Sequence, residues 1–99
     1  MGPIERVAVI GAGNMGSGIA QKSAQEGFAV QMVDKEDGFV QRGMETINGF
    51  LDEAIQRRIF SEEKVERIIS NISVGIGVDS IHEDTDLVIE AVFEDIDVK

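Results

Sequence analysis

The chain has 99 residues, with nine Lys or Arg against nineteen Asp or Glu and a net charge of −10; that length holds one domain, and that charge repels nucleic acid and anionic membrane surfaces. The densest basic spot is only Arg57-Arg58, and the absence of cysteine excludes disulfides, thiolate metal sites and a cysteine nucleophile. No stretch near Met1 reads as a signal sequence and no apolar run is long enough to cross a bilayer, so we expect a cytoplasmic protein that binds neither membrane, nucleic acid nor metal.

Val7 to Ile10 is a continuous apolar run, three of its four residues β-branched. Such runs suit a parallel strand covered on both faces, and a first strand is predicted over Ile4 to Ile10. It stops at Gly11-Ala12-Gly13. From Asn14 to Glu26, Met15, Ile19, Ala20 and Ala24 fall close to helical spacing, and Gly27 stands where a helix C′ glycine belongs. Phe28 to Val33 is a second strand, ending at Asp34. From Gly38 to Ile59, the residues Val40, Met44, Ile47, Leu51, Ala54, Ile55 and Ile59 mark one face of a long helix. Gly43 and Gly49 inside it cost about 1 kcal/mol each relative to alanine, which predicts bending or fraying.

Ser61 reads as the N-cap of a shorter helix reaching Ser70, with Glu62 and Glu63 where the dipole favours anions and Val65, Ile68 and Ile69 facing inward. Together the two helices make a hairpin. Ile72 to Val74 is a short third strand, Gly75 to Asp86 an acidic loop, and Leu87 to Val92 another buried-strand pattern; Asp95 to Lys99 is entering a helix. Strands alternating with helices imply parallel pairing and right-handed crossovers. The predicted fold is therefore α/β over one domain, 1–99: a partial, Rossmann-like doubly wound parallel sheet with a helical hairpin inserted after the second strand.

Gly11-Ala12-Gly13-Asn14-Met15-Gly16 is a G-x-G-x-x-G motif. Alone it is a weak signal. Here it follows a strand, opens a helix, and is followed roughly twenty residues on by Asp34 at the end of the next strand, as a dinucleotide fingerprint requires. Gly11 permits the tight turn, Gly13 lets a pyrophosphate approach the backbone, and Gly16 lets helix and sheet pack closely. Free N–H groups at the helix start hold phosphates. The Asp34 carboxylate accepts hydrogen bonds from adenosine ribose hydroxyls and repels an additional phosphate, which favours NAD over NADP. The candidate cofactor-binding residues are thus Gly11, Ala12, Gly13, Asn14, Met15, Gly16, Asp34 and its neighbour Lys35. A glycine-rich turn without ligand is the competing reading; strand, helix and acid in register weigh against it.

Val7-Ala8-Val9-Ile10-Gly11-Ala12-Gly13-Asn14-Met15-Gly16-Ser17-Gly18-Ile19-Ala20 resembles the opening of L-3-hydroxyacyl-CoA dehydrogenases. So does Asp86-Leu87-Val88-Ile89-Glu90-Ala91-Val92-Phe93-Glu94-Asp95, followed by Lys99. The hairpin lies where that family has one, and the resemblance covers essentially the whole chain. It implies a domain that holds NAD for oxidation of a 3-hydroxyacyl-CoA to the 3-ketoacyl-CoA. It also implies that Glu94 and Lys99 sit at the nicotinamide ribose end, that Ala91 and Val92 neighbour the cofactor, and that Arg57 contacts the coenzyme A portion. The other reading of Glu94 is a solvated acid, and of Arg57 a solvated helix charge. Phe50 stands where the family has a polar contact, which weakens the acyl-CoA inference.

In the family, the catalytic histidine, its partner glutamate, and a substrate-contacting serine and asparagine lie C-terminal to the Glu94 motif. His82 precedes the last strand in an acidic loop, out of position for a general base. We therefore expect no catalytic residue here, no turnover by this chain alone, and acyl-CoA as a partner only in a longer chain. The last strand should leave an open apolar edge through which the chain forms a homo-oligomer. Two alternatives stay open: the NAD-binding module of a related β-hydroxyacid or sugar-acid dehydrogenase, and a non-catalytic nucleotide-sensing or interaction module.

Overall fold

The computed structural model describes residues 4–91. Strands β1 (Arg6–Ile10), β2 (Ala29–Asp34), β3 (Ile72–Ile76) and β4 (Leu87–Glu90) form a wholly parallel sheet in the order β3-β2-β1-β4. Between them run α1 (Asn14–Gln25), α2 (Asp37–Gln56) and α3 (Glu62–Ser70), and a short 3-10 turn over Val78–Ser80. This is the α/β, Rossmann-like sheet expected, with the α2–α3 hairpin between the second and third strands.

Side chains alternate across a strand, so the register Val7↔Val30↔Ile72 and Val9↔Met32 puts these residues on one face. Ala20 and Ala24 of α1, Ile47 and Leu51 of α2, and Val65 and Ile68 of α3 cover it. The helices touch one another as well as the sheet, so they share that face. Met32, Ile47 and Leu51 are wholly buried, and burying a side chain of this size contributes roughly 1.5–3 kcal/mol.

The opposite face of β2 carries Gln31, a buried polar residue. Its Nε2 donates to the Ser80 carbonyl at 2.8 Å, and its Oε1 accepts from the His82 N–H at 3.2 Å. These bonds seat the β3–β4 connection across that face. Gly75, opposite Val33, lies on the same face, and a Cβ there would meet Ser80 Oγ and Gln31 Nε2. The third strand therefore continues through Gly75 to Ile76, two residues past the predicted end, because this glycine serves a close crossing and not a strand break.

Both long helices end in a left-handed residue. After α1 it is the expected Gly27, at φ 106°, with the Phe28 N–H donating to the Ser23 carbonyl at 3.1 Å. After α2 it is Arg58, at φ 61°, with the Ile59 N–H reaching the Ala54 carbonyl at 2.8 Å. The second helix thus stops at Gln56, and Ile59 is 64% exposed beyond it instead of completing the apolar face. Sequence reasoning missed this end because no glycine marks it. Up to that end α2 is unbroken despite Gly43 and Gly49.

On the other side of the sheet, β4 pairs with β1 alone among the described residues. Leu87 and Val88 are 41% and 47% exposed there. The strand ends at Glu90; Val92, in the predicted strand, lies outside the described residues.

Asp86 clamps the starts of β1 and β4. Its Oδ2 accepts from the N–H groups of Glu5 and Arg6, both at 2.9 Å, and its own N–H donates to the Arg6 carbonyl. The Glu5 N–H first, then the Arg6 N–H and charge, hold the Asp86 carboxyl below its ordinary 3.8, with slight desolvation opposing them. A depressed folded pKa stabilises the fold above the unfolded value, and that stabilisation is lost as pH falls through the folded pKa. Below about pH 4, the melting temperature of the wild type should fall more steeply than that of Asp86→Asn, which should melt lower at pH 7. Equal acid slopes in parallel thermal scans would refute the clamp.

Candidate functional site

The chain steps from β1 outward to β2 and β3, then crosses back to place β4 on the other flank of β1. In open α/β sheets, ligands occupy the crevice at the carboxyl ends of the strands where the order reverses like this. Here Gly11 follows β1 and Ala91 follows β4, the Ala91 N–H donating to the Ile10 carbonyl at 2.8 Å. Between them opens a cleft of about 760 Å³, within the range of small-molecule sites. It is lined by Gly11, Ala12, Gly13, Asn14 and Met15 of the loop, by Asp34, Lys35 and Ala91, and by Phe39, Arg42, Glu45 and Thr46 of α2.

The glycines of the loop are not equivalent. Gly11 turns the chain at φ 111°, its N–H donating to the Val33 carbonyl at 2.7 Å. Gly16 is buried beneath the loop, where a Cβ would fall on the Gly11 carbonyl. Gly13 has no atom within 4 Å of its Cβ position, so the backbone there is open to an approaching group. Gly13 also caps α1 without any side-chain hydrogen bond, and no acid stands in the first turn. By contrast α3 is capped by Ser61 Oγ, accepting from the Lys64 N–H at 3.1 Å, and starts with Glu62 and Glu63. The opening N–H groups of α1 take no partner among the described residues and are available to an anion.

Asp34 is fixed onto this loop. Its Oδ2 accepts from the Ala12 N–H at 2.8 Å, and its Oδ1 from the Lys35 N–H at 2.7 Å. A carboxylate has about four lone-pair sites, so acceptor capacity remains for hydroxyls of a ligand. The loop is also pressed from behind: a Cβ at Gly43 would lie 2.8 Å from the Ala12 carbonyl oxygen and 2.9 Å from Met32 Cε. Gly43, read from the sequence as a weak point of α2, is where α2 closes on the glycine loop.

The structure therefore gathers Gly11 to Met15, Asp34, Lys35 and Ala91 in one cleft and sets Gly16 under it. Met15 belongs to the cleft and not to the buried stripe of α1, being 62% exposed. Arg57 is elsewhere, at the end of α2, where its Nη2 pairs with Glu53 Oε2 at 2.8 Å. His82 lies by Arg6, Ala29 and Ile72, at the strand starts and so at the far end of the sheet. Val92, Glu94 and Lys99 lie outside the described residues. Sequence reasoning missed Phe39, Arg42, Glu45 and Thr46. Their signal was the helical spacing of Phe39, Arg42 and Thr46 just downstream of Asp34. Among the described residues no cluster of His, Cys, Asp or Glu could hold a metal, and no helix is long and apolar enough to cross a membrane.

Residues 6–99 match the family model for the 3-hydroxyacyl-CoA dehydrogenase, NAD binding domain. The chain belongs to that family. It is an NAD-binding domain of the 3-hydroxyacyl-CoA dehydrogenases, and its cofactor is NAD. A 3-hydroxybutyryl-CoA dehydrogenase of Bradyrhizobium diazoefficiens is 40% identical over 97% of this chain and 32% of its own length. The fatty acid oxidation complex subunit alpha of Colwellia psychrerythraea is 36% identical over 97% of this chain and 13% of its own. Among solved structures, the (S)-3-hydroxybutyryl-CoA dehydrogenase of Ralstonia eutropha superposes with a TM-score of 0.87 at 38% identity, over 93% of this chain and 32% of that one. The chain thus spans about a third of the length of two of these relatives and much less of the third.

Proposed function

We propose that the cleft binds NAD with its pyrophosphate on the backbone of Gly11, Ala12, Gly13, Asn14 and Met15, supported by Gly16 beneath them, and its adenosine ribose on Asp34, with Lys35 and Ala91 at its borders. The bond from the Ala12 N–H to Asp34 carries this reading, because it fixes the carboxylate beside the loop that meets the phosphates. Bound there, NAD supplies a hydride acceptor; this chain's residues hold it and set its direction. Val92 as a neighbour of the cofactor, Glu94 and Lys99 at its nicotinamide ribose end, and Arg57 on the coenzyme A portion of a substrate, rest on the family resemblance.

Hydride transfer from the carbon that bears a hydroxyl also needs a base for the hydroxyl proton. His82, exposed at the opposite end of the sheet, cannot supply it. On this reading the chain provides the cofactor half of a 3-hydroxyacyl-CoA dehydrogenase reaction, and acyl-CoA is engaged only in a longer chain. We propose a cytoplasmic location for the chain.

Calorimetric titration with NAD tests the cleft. Asp34→Ala removes charge-assisted acceptors worth about 1.5–3 kcal/mol, so NAD affinity should drop by roughly ten- to a hundredfold. An unchanged affinity would displace the ribose from Asp34. We further propose that the edge of β4 left unpaired among the described residues, flanked by Leu87 and Val88, pairs with a second copy. Light scattering should show dimer growing with concentration; a monomer across the whole accessible range would overturn that pairing.

A further inference from the structure

Resting on the placement of the adenosine ribose at Asp34, we propose that the same cleft contains a latent site for an adenosine 2′-phosphate, built from Lys35, Phe39 and Arg42 and kept shut by the Asp34 carboxylate. Cations are scarce in this chain, which carries −10 overall. Two of them nevertheless converge on one aromatic ring at the Asp34 end of the cleft. The Arg42 guanidinium carbon lies 5.4 Å from the Phe39 ring centroid, and Lys35 Nζ lies 6.0 Å from it. All four residues line the cleft.

Elsewhere Arg6, Lys22 and Arg57 pair with Asp84, Glu26 and Glu53. Neither Lys35 nor Arg42 has a carboxylate within ion-pair distance among the described residues. Arg58, Lys64 and Arg67 likewise lack such a partner, but only Lys35 and Arg42 line this cleft, where their charge is available to a ligand. Phe39 sits in the first turn of α2 and holds the guanidinium by its face. A stacked guanidinium is pre-organised to grip a phosphate by two parallel bonds.

The two known solutions at this point of such a fold are an acid for the 2′-hydroxyl or a nearby arginine for the 2′-phosphate. This cleft holds both. A 2′-phosphate at the ribose meets the Asp34 charge and is repelled. With that charge removed, the same position faces Lys35 and Arg42.

Asp34→Asn is the test, because it keeps an acceptor for the Ala12 N–H while removing the charge; Asp34→Ser is a second variant with a smaller acceptor. Both are titrated calorimetrically with 5′-ADP and with 2′,5′-ADP. In the wild type, 5′-ADP should bind the tighter. In Asp34→Asn, 2′,5′-ADP should tighten by about ten- to a hundredfold and become the preferred ligand. That gain should shrink as salt is raised and disappear when Arg42→Ala and Lys35→Ala are added. A gain under about threefold in both the Asn and Ser variants, or one that survives removal of both cations, overturns the proposal. Normal 5′-ADP binding without the exchange overturns the latent site alone. No binding of either nucleotide to the wild type overturns the ribose placement and the latent site together.

Discussion

Gly16→Ala should lower the stability of the domain by about 3 kcal/mol or more, beyond the usual range of an added methyl, and leave NAD binding undetectable. The added carbon falls on the Gly11 carbonyl. That obstacle is backbone and cannot swing aside as the tip of a side chain would. Gly11 is itself pinned, at φ 111° and by its N–H on the Val33 carbonyl. The strain therefore passes either into the turn or into α1, and each holds one side of the cleft. Alanine is the better helix former by about 1 kcal/mol, but that gain is smaller than the clash. With native domains stable by roughly 5–15 kcal/mol in all, such a loss lowers the melting temperature by about 10–20 °C in a chain of this size. The chain has no Trp or Tyr, so far-UV circular dichroism is the direct readout. A variant that melts within a few degrees of the wild type and still binds NAD would show that α1 does not need contact with the turn.

The strands, the helix order and the glycine loop were legible because each rests on a local rule. Val7 to Ile10 is apolar without interruption because β1 is central in the sheet and covered on both faces. Gly27 ends α1 by its own conformational freedom, and that freedom shows in the residue type. What stayed hidden depends on contacts between segments distant in the chain. Gly75 reads as a strand breaker until the connection carrying Ser80 is laid across it. Arg58 carries no mark of the left-handed turn it adopts, because the hydrogen bonds behind it set that conformation. Met15 has the spacing of a buried residue but stands on the first turn of α1, where the cleft and not the core is its neighbour. The α2 wall of the cleft was missed for the same reason. Phe39, Arg42 and Thr46 look like an ordinary solvated face until the fold brings them into one cleft with the glycine loop.

Gly43→Ala carries that lesson into a second expected result, because local propensity and tertiary contact predict opposite signs. By propensity alone the change stabilises α2 by about 1 kcal/mol. The contact says otherwise: the new carbon would sit 2.8 Å from the Ala12 carbonyl oxygen, 2.9 Å from Met32 Cε and 3.0 Å from Ala12 Cβ. Met32 Cε ends a flexible side chain and can shift, but the Ala12 carbonyl oxygen is backbone and cannot swing aside. Ala12 is backbone of the glycine loop, and its N–H is the donor that positions Asp34. Overpacking of this kind costs about 1–3 kcal/mol, so the contact wins and the net change is destabilising. The displacement falls on the segment that bonds Asp34, so NAD affinity should fall by about tenfold or more, with the larger share of the damage in binding. Gly49→Ala is the matched control. It lies in the same helix with nothing within 4 Å of its Cβ position, so it should keep the full propensity gain and leave NAD affinity unchanged. Denaturant unfolding and calorimetry on the two variants separate the outcomes. If Gly43→Ala stabilises as Gly49→Ala does, α2 does not press on the glycine loop, and the geometry of the cleft is set by β1 and β2 alone.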